Sequence, residues 1–255
     1  MNSSPDHPFL LRLLTVNIHK GFSHFKRRFV LPELRAAVRS VDADLVFLQE
    51  VQGESRTRAA VADGEPAAQS HYEFLADTLW PQFAYGRNAV YPSGDHGNAV
   101  LSKYPIVAHH NHDVSIGAHE ARGLLHCTLR VPGVDSLIHA VCVHLGLTEV
   151  QRRHQMELLC RLVNQAPAKA PMLVAGDFND WRGLGHRILN GCAGLREVFV
   201  HAHGRAAKTF PARFPLLRLD RIYVRNTRAH RPLPLPGLPW SRLSDHAPLA
   251  AEITL

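Results

Sequence analysis

The chain has 255 residues, 45% of them hydrophobic and 20% charged, and a formal net charge of +7 before any of its 18 histidines is counted. Such a composition excludes disordered and fibrous chains, and no apolar run reaches the roughly 18 residues of a membrane span. The basic excess points to an anionic partner such as a phosphate ester, nucleic acid or acidic lipid, although the densest run is only Lys26-Arg27-Arg28.

Residues 9–18, Phe-Leu-Leu-Arg-Leu-Leu-Thr-Val-Asn-Ile, form an apolar run of buried-strand length with Asn17 near its far end. Pro32 suits a first helical turn, and Leu31, Leu34, Val38 and Val41 then recur at helical spacing. Residues 44–51 are a second apolar strand, carrying Glu50 where a carboxylate needs a solvated cleft or a cationic partner. Residues 53–70 read as a mobile loop and 73–79 as a helix. Residues 86–98, with Gly86, Pro92, Gly94 and Gly97, read as turns leading into a strand over 98–102.

Arg122 opens the strand 123–130, Pro132-Gly133 makes a turn, and 136–144 returns as the second arm of a hairpin ending on His144. Thr148 and Gln151 form a capping-box pattern. The helix behind it turns Met156, Leu159, Leu162 and Val163 inward and Arg152, Arg153 and Arg161 outward. In 171–181, Pro-Met-Leu-Val-Ala-Gly-Asp-Phe-Asn-Asp-Trp, a buried strand runs out into Gly176. Asp177 and Asn179 follow at period two, on one side of an extended chain. Asp220 lies at the start of the strand 219–224. The proline-rich stretch 232–240 reads as an apolar loop with exposed Leu and Trp; it leads to Ser244-Asp245-His246 and a closing strand.

Cys127, Cys142, Cys160 and Cys192 show neither CxxC pairing nor metal-site spacing, and Cys142 and Cys160 lie in apolar periodic stretches. Buried free thiols in a reducing compartment are the expectation. Residues 1–8 are polar without an apolar signal-peptide core and read as a disordered tail. No composition break or repeat divides 9–255, so one domain in a soluble cytoplasmic protein is expected. The histidines outside the strand ends, His109, His110, His112, His201 and His203 among them, read as solvated loop residues.

Asn17, Glu50, His144, Asp177, Asn179, Asp220, Asp245 and His246 all fall at strand–loop junctions. Singly, each has a structural alternative: Asp177 capping a turn, Asp220 paired with Arg218 or Arg221, His144 satisfied in the core. If the strands share sheets, however, their ends converge on one cleft. Oxygen donors from Glu, Asp and Asn favour a hard divalent ion, and such an ion stabilises charge on a phosphoryl oxygen. A histidine beside carboxylates can take or give a proton near neutral pH. Zinc is disfavoured, because these histidines lack close ligand spacing and no cysteine joins them.

Asn17 after the first strand, Gln49-Glu50, His144, Gly176-Asp177-Phe178-Asn179, Leu219-Asp220-Arg221-Ile222 and Ser244-Asp245-His246 resemble, in order, the endonuclease/exonuclease/phosphatase superfamily of DNase I-like fold, in its small bacterial branch. The resemblance implies an α/β fold, a four-layer α/β/β/α sandwich with two mixed β-sheets packed face to face. It implies hydrolysis of a phosphoester bond with Mg²⁺, for which Mn²⁺ substitutes. By position, Glu50 resembles the principal metal ligand, Asn17 its neighbour, and Asp245 a further metal or water ligand. His246 resembles the general base, oriented by Asp220. Asp177 and Asn179 resemble the pair that handles the nucleophile and the scissile phosphate, and His144 the second histidine at the phosphate oxygens. Arg122 and Asn98 resemble phosphate-binding positions.

Two departures stand out. His19 lies where DNA-repair members carry a different short loop, and His96-Gly97-Asn98 lacks a glutamate that secreted DNase-like members keep. The expected activity is nuclease-like cleavage of a phosphodiester by a His-activated water. The alternatives are a phospholipid or sphingomyelinase-like phosphodiesterase, and a catalytically silent binding protein of the same fold. The complete acid/His set argues against the last. The expected partner is the substrate, nucleic acid or phospholipid head group, with no stable membrane insertion and no obligate protein partner.

Overall fold

Strands that are apolar on both faces need cover on both sides, and a parallel pair joined by a crossover helix supplies one layer of it. In the computed structural model, which describes residues 8–23, 28–55, 70–92, 94–117 and 120–255, this unit occurs twice. First, β1 (Leu10–Asn17) passes through α1 (Leu31–Val41) into the parallel strand β2 (Leu45–Ser55). With β3 (Gln82–Tyr91), β4 (Gly94–Ser102), β11 (Ala229–Leu233) and β12 (Leu249–Thr254), these strands build a six-stranded sheet in the order β11-β12-β1-β2-β4-β3. Second, β7 (Ile138–His144) passes through α3 (Glu149–Gln165) into the parallel strand β8 (Met172–Asp177). Here β5 (Ile106–Asp113), β6 (Gly123–Leu129), β9 (Arg196–Glu197) and β10 (Asp220–Arg225) complete the order β5-β6-β7-β8-β10-β9. All other pairings are antiparallel, so both sheets are mixed.

Side-chain alternation sorts the core into layers. Leu11, Leu13, Phe47 and Val100 meet Leu125, Cys142, Leu173 and Ile222 between the sheets. Leu14, Val16 and Val46 turn the other way, onto Leu34 and Val38 of α1. Val141, Val143 and Val174 pack on Met156, Leu159 and Val163 of α3. The architecture is the α/β sandwich that the resemblance implies. No helix among the described residues is long and apolar enough to cross a membrane.

Several local expectations are corrected. Residues 82–91 and 94–102 are strands, and Gly86 on the first and Gly97 on the second are points of close approach rather than turns. A Cβ on Gly97 would lie 1.9 Å from the Gly86 carbonyl oxygen, and one on Gly86 would lie 2.4 Å from Asn111 Oδ1. His109, His110 and His112 sit on edge strand β5, and His201 and His203 on the short helix α5 (Val198–His203), not in loops. The helix expected at 73–79 is α2 (His71–Ala76): a capping box of Ser70 and Glu73 starts it early, and Asp77 ends it at φ 45°. Arg152 is buried, because its guanidinium donates to the Leu147 carbonyl at 2.5 Å. Cys160 is not a free thiol. Packing of α3 on α4 (Gly185–Ala193) sets its Cα 6.0 Å from that of Cys192, and the two form a disulfide; Cys127 and Cys142 are free and buried. The inference of a reducing compartment from unpaired thiols therefore falls. Trp240 is buried against the α1 layer, so of the 232–240 stretch Leu238 rather than Trp240 is open to solvent. The expected tail and the loop at 53–70 fall almost wholly outside the described residues, as do Lys26 and Arg27.

One buried acid carries a stability prediction. Glu197 caps α5 by accepting the Val200 N–H, and its other carboxylate oxygen, Oε1, is buried without a partner. Burial pushes its pKa from 4.5 up to about 7, against hydrogen bonds and Arg221 that pull it down. The folded protein thus holds this proton more tightly than the unfolded chain, and stability should fall as pH rises from 4.5 through about 7. Glu197→Gln copies the protonated acid. Its urea stability should match wild type at the acid end and exceed it at the alkaline end by about 3 kcal/mol at most. Parallel curves for the two proteins would refute this account.

Candidate active site

The second sheet presents three polar side chains abreast. His144 at the end of β7 is in register with Asp177 at the end of β8, and Asp177 faces Asp220 at the start of β10. Each continues the inward row of its strand, after Cys142 and Ala175 and before Ile222, so all three point between the sheets.

On the first sheet Asn17 ends the inward row of β1. Glu50 reaches the same space by a bulge: Gln49 and Glu50 together oppose Asn98 of β4, and Glu50 takes φ 55°. Regular alternation would have sent Glu50 towards α1 with Val46 and Leu48. Asn17 then spans the two sheets, its amide nitrogen 3.2 Å from both Glu50 Oε1 and Asp177 Oδ2. Its oxygen accepts the His19 N–H at 3.0 Å. Asn17 thus presents its nitrogen to the two carboxylates and holds them together across the seam.

His246, in the loop before β12, donates or shares a proton through Nδ1 with Asp220 Oδ2 at 2.9 Å. Ser244 Oγ fixes the loop, donating to the Asn17 carbonyl at 2.7 Å and accepting the His246 N–H at 3.2 Å. The Phe210 ring lies 5.1 Å from the imidazole. His246 Nε2 and His144 Nε2 approach the same oxygen, Asp177 Oδ2, at 3.8 and 3.7 Å. Asp177, Asp220 and His246 each offer a ligand atom within 4.8 Å of the others. Burial alone would lower the His246 pKa, but Asp220 and Asp177 reverse this and raise it. Burial raises Asp177, helped by the charge of Asp220 and opposed by His246. Burial, with Arg122 and His246 as nearby cations, holds His144 well below its usual range, so it is a neutral imidazole.

The remaining expected residues surround this group. Arg122 Nε and the Asn179 amide both donate to the Leu145 carbonyl, at 3.0 and 2.9 Å. Asn179 meets Asp177 by a turn and not by extended alternation: its φ is 49°, and its N–H donates to Asp177 Oδ1 at 2.9 Å. Asn98, opposite the bulge that carries Glu50, is fully buried and donates to the Gly123 carbonyl at 2.8 Å, a tie between the sheets. Asp245 binds His19 Nδ1 at 2.7 Å; burial raises its pKa, but His19 and His246 outweigh that and lower it. The roles of His19 and Ser244 escaped the sequence reading. Their only signal was adjacency to Asn17 and His246.

Residues 14–246, from within β1 to this histidine, match the model of the Endonuclease/Exonuclease/phosphatase family. The chain belongs to that family. Members of the endonuclease/exonuclease/phosphatase family are phosphoester hydrolases. The chain is 57% identical, over 247 residues and 97% of either chain, to the Escherichia coli K12 protein called Uncharacterized protein YbhP and to its Shigella flexneri namesake. Its fold is similar to that of an endonuclease/exonuclease/phosphatase from Beutenbergia cavernae, with a TM-score of 0.77 and 21% identity over 96% of this chain and 72% of that one. It is also similar to D. rerio TDP2 complexed with single strand DNA product, with a TM-score of 0.67 and 17% identity over 96% and 98% of the two chains.

Proposed function

We propose that the protein is a divalent-cation-dependent phosphodiesterase with nuclease-like chemistry. The observation that carries this reading is the His246 imidazole, fixed at Nδ1 by Asp220 and turning Nε2 towards Asp177. Asp220 and Asp177 favour the protonated ring; a bound cation would offset those carboxylate charges, and in the neutral tautomer that Asp220 then fixes, Nε2 can take a proton from a water attacking phosphorus. Asp177 and Asn179 orient that water and the scissile phosphate. Neutral His144 and cationic Arg122 bind non-bridging phosphate oxygens.

The donor set fits a hard cation. Glu50 is half-buried, and among the described residues it has no ion pair, only the Asn17 amide. Glu50 and Asp245 would hold the ion, Mg²⁺ or Mn²⁺, which when bound stabilises charge on the phosphoryl oxygen. The test is hydrolysis of a small phosphodiester, DNA, RNA and phospholipid vesicles by the purified protein, with Mg²⁺ and with excess chelator. Cleavage of none of them, or undiminished cleavage in chelator, overturns the reading.

A second substrate class has its own support. Leu147, Trp181 and Phe214 are 59%, 51% and 71% exposed. They follow Leu145, Asn179 and Phe210, the residues that anchor Arg122, touch Asp177 and pack on His246. Exposed apolar side chains two to four residues along the chain from these site residues would suit a phospholipid surface. Replacing all three residues by Ser should then depress vesicle hydrolysis far more than hydrolysis of the small diester. Equal losses on both would remove the phospholipid reading.

A further inference from the structure

The hydrolytic site engages three of the 18 histidines, His19, His144 and His246. Four others form a separate ladder on the outer face of the second sheet, beyond the part that α3 covers. His110 and His112 share a face of edge strand β5, two residues apart. His126 on β6 is in register with His110, and His139 on β7 is in register with Thr128, one step along the same face. Successive ring centroids lie 4.5 Å (His110–His112), 6.4 Å (His112–His126) and 5.1 Å (His126–His139) apart.

The decisive distance is 2.9 Å between His126 Nε2 and His139 Nδ1. Two nitrogens bound about 90° apart to one ion, each at about 2.1 Å, are separated by about 3.0 Å. The separation matches that bite, although the nitrogens are here joined by a hydrogen bond that an ion would replace; tetrahedral angles would demand a wider gap. We propose that His126 and His139, joined by His112 after a side-chain rotation, form a second metal site for Ni²⁺ or Cu²⁺, distinct from the hydrolytic cleft. All donors are imidazoles, which suit these ions and not the hard cations of the cleft. Burial depresses the pKa of His126 to about 4 and lowers those of His112 and His139, with His110 and Arg225 adding positive charge nearby; among the described residues no carboxylate contributes to these shifts. The rings are therefore neutral at neutral pH, the form that ligates. A bound ion would clamp β5, β6 and β7 together and stabilise the folded chain by mass action.

The test is titration of the full-length protein with Ni²⁺ alone as probe, in excess Mg²⁺, read by calorimetry and by the shift in Tm. One Ni²⁺ per chain and a raised Tm are expected. His126→Gln, His139→Gln and the more exposed His112→Gln should each weaken binding about tenfold or more, while His144→Gln should bind as wild type does. Retained Mg²⁺-dependent hydrolysis verifies that each ladder variant is folded. If wild type and His126→Gln/His139→Gln bind Ni²⁺ alike, or if binding is lost in His144→Gln instead, there is no second site and the close nitrogens are a neutral hydrogen-bonded pair.

Discussion

Alanine at His246 or at Asp220 should lower phosphodiester hydrolysis by roughly two to four orders of magnitude each, and the double variant should lose little more than the worse single. The two side chains are buried to 6% and 1% exposure and share one 2.9 Å hydrogen bond. Remove the imidazole, and Asp220 has nothing to orient. Remove the carboxylate, and the ring loses both its tautomer and the charge that makes it basic. Residues that act as a unit give non-additive losses. Asp220→Asn tests the charge separately, since it keeps the shape and should still cost most of the rate. The measurements are kcat/KM and its pH profile for the four variants, with urea stability as a control. Multiplying losses, or an unaltered pH profile in Asp220→Asn, would mean that another group is the base.

Glu50→Gln should abolish most of the cation-dependent rate while leaving the fold intact. The amide keeps the length of the side chain and its contact with Asn17, but loses the only charge that the bulge in β2 delivers to the cleft. Cation affinity should fall with it, measurable as a raised Mg²⁺ requirement and as weaker direct binding of Mn²⁺. Full activity in excess chelator, or unchanged cation affinity in the variant, would rule this out. An intermediate control is Asn17→Asp, which places a third carboxylate against Glu50 and Asp177. It should disturb the cleft even though it adds an oxygen donor.

What was legible in the chain was whatever depends on local pattern. β1, β2, β7 and β8 are continuous apolar runs because each is covered on both faces, and Thr148 and Gln151 do form a capping box. β3 and β5 were missed for opposite reasons. In β3 the glycine that permits close approach looks like a turn signal, and in β5 histidines on an open edge hide any alternation. Nothing in Gln49-Glu50-Val51 announces the left-handed backbone that aims Glu50 inward. The Asp220–His246 contact was readable as a pair but not as a geometry. It does not come from adjacent strands, because β10 belongs to the second sheet and β12 to the first. Long-range pairing decides such contacts, and single-strand patterns do not encode it.

That placement makes the cleft a gauge of how the two sheets are aligned. Asp220 with His246, and Asn17 with Asp177, each span the seam, so a slide of one layer over the other changes both distances together. A displacement of about 1 Å at reacting groups is worth roughly a hundredfold in rate. Nearly volume-conserving changes far from the chemistry, such as Leu129→Met or Val224→Ile in the inter-sheet layer, should therefore slow hydrolysis by more than their small loss of stability would suggest. Screens for activity and screens for solubility should disagree most sharply along that layer.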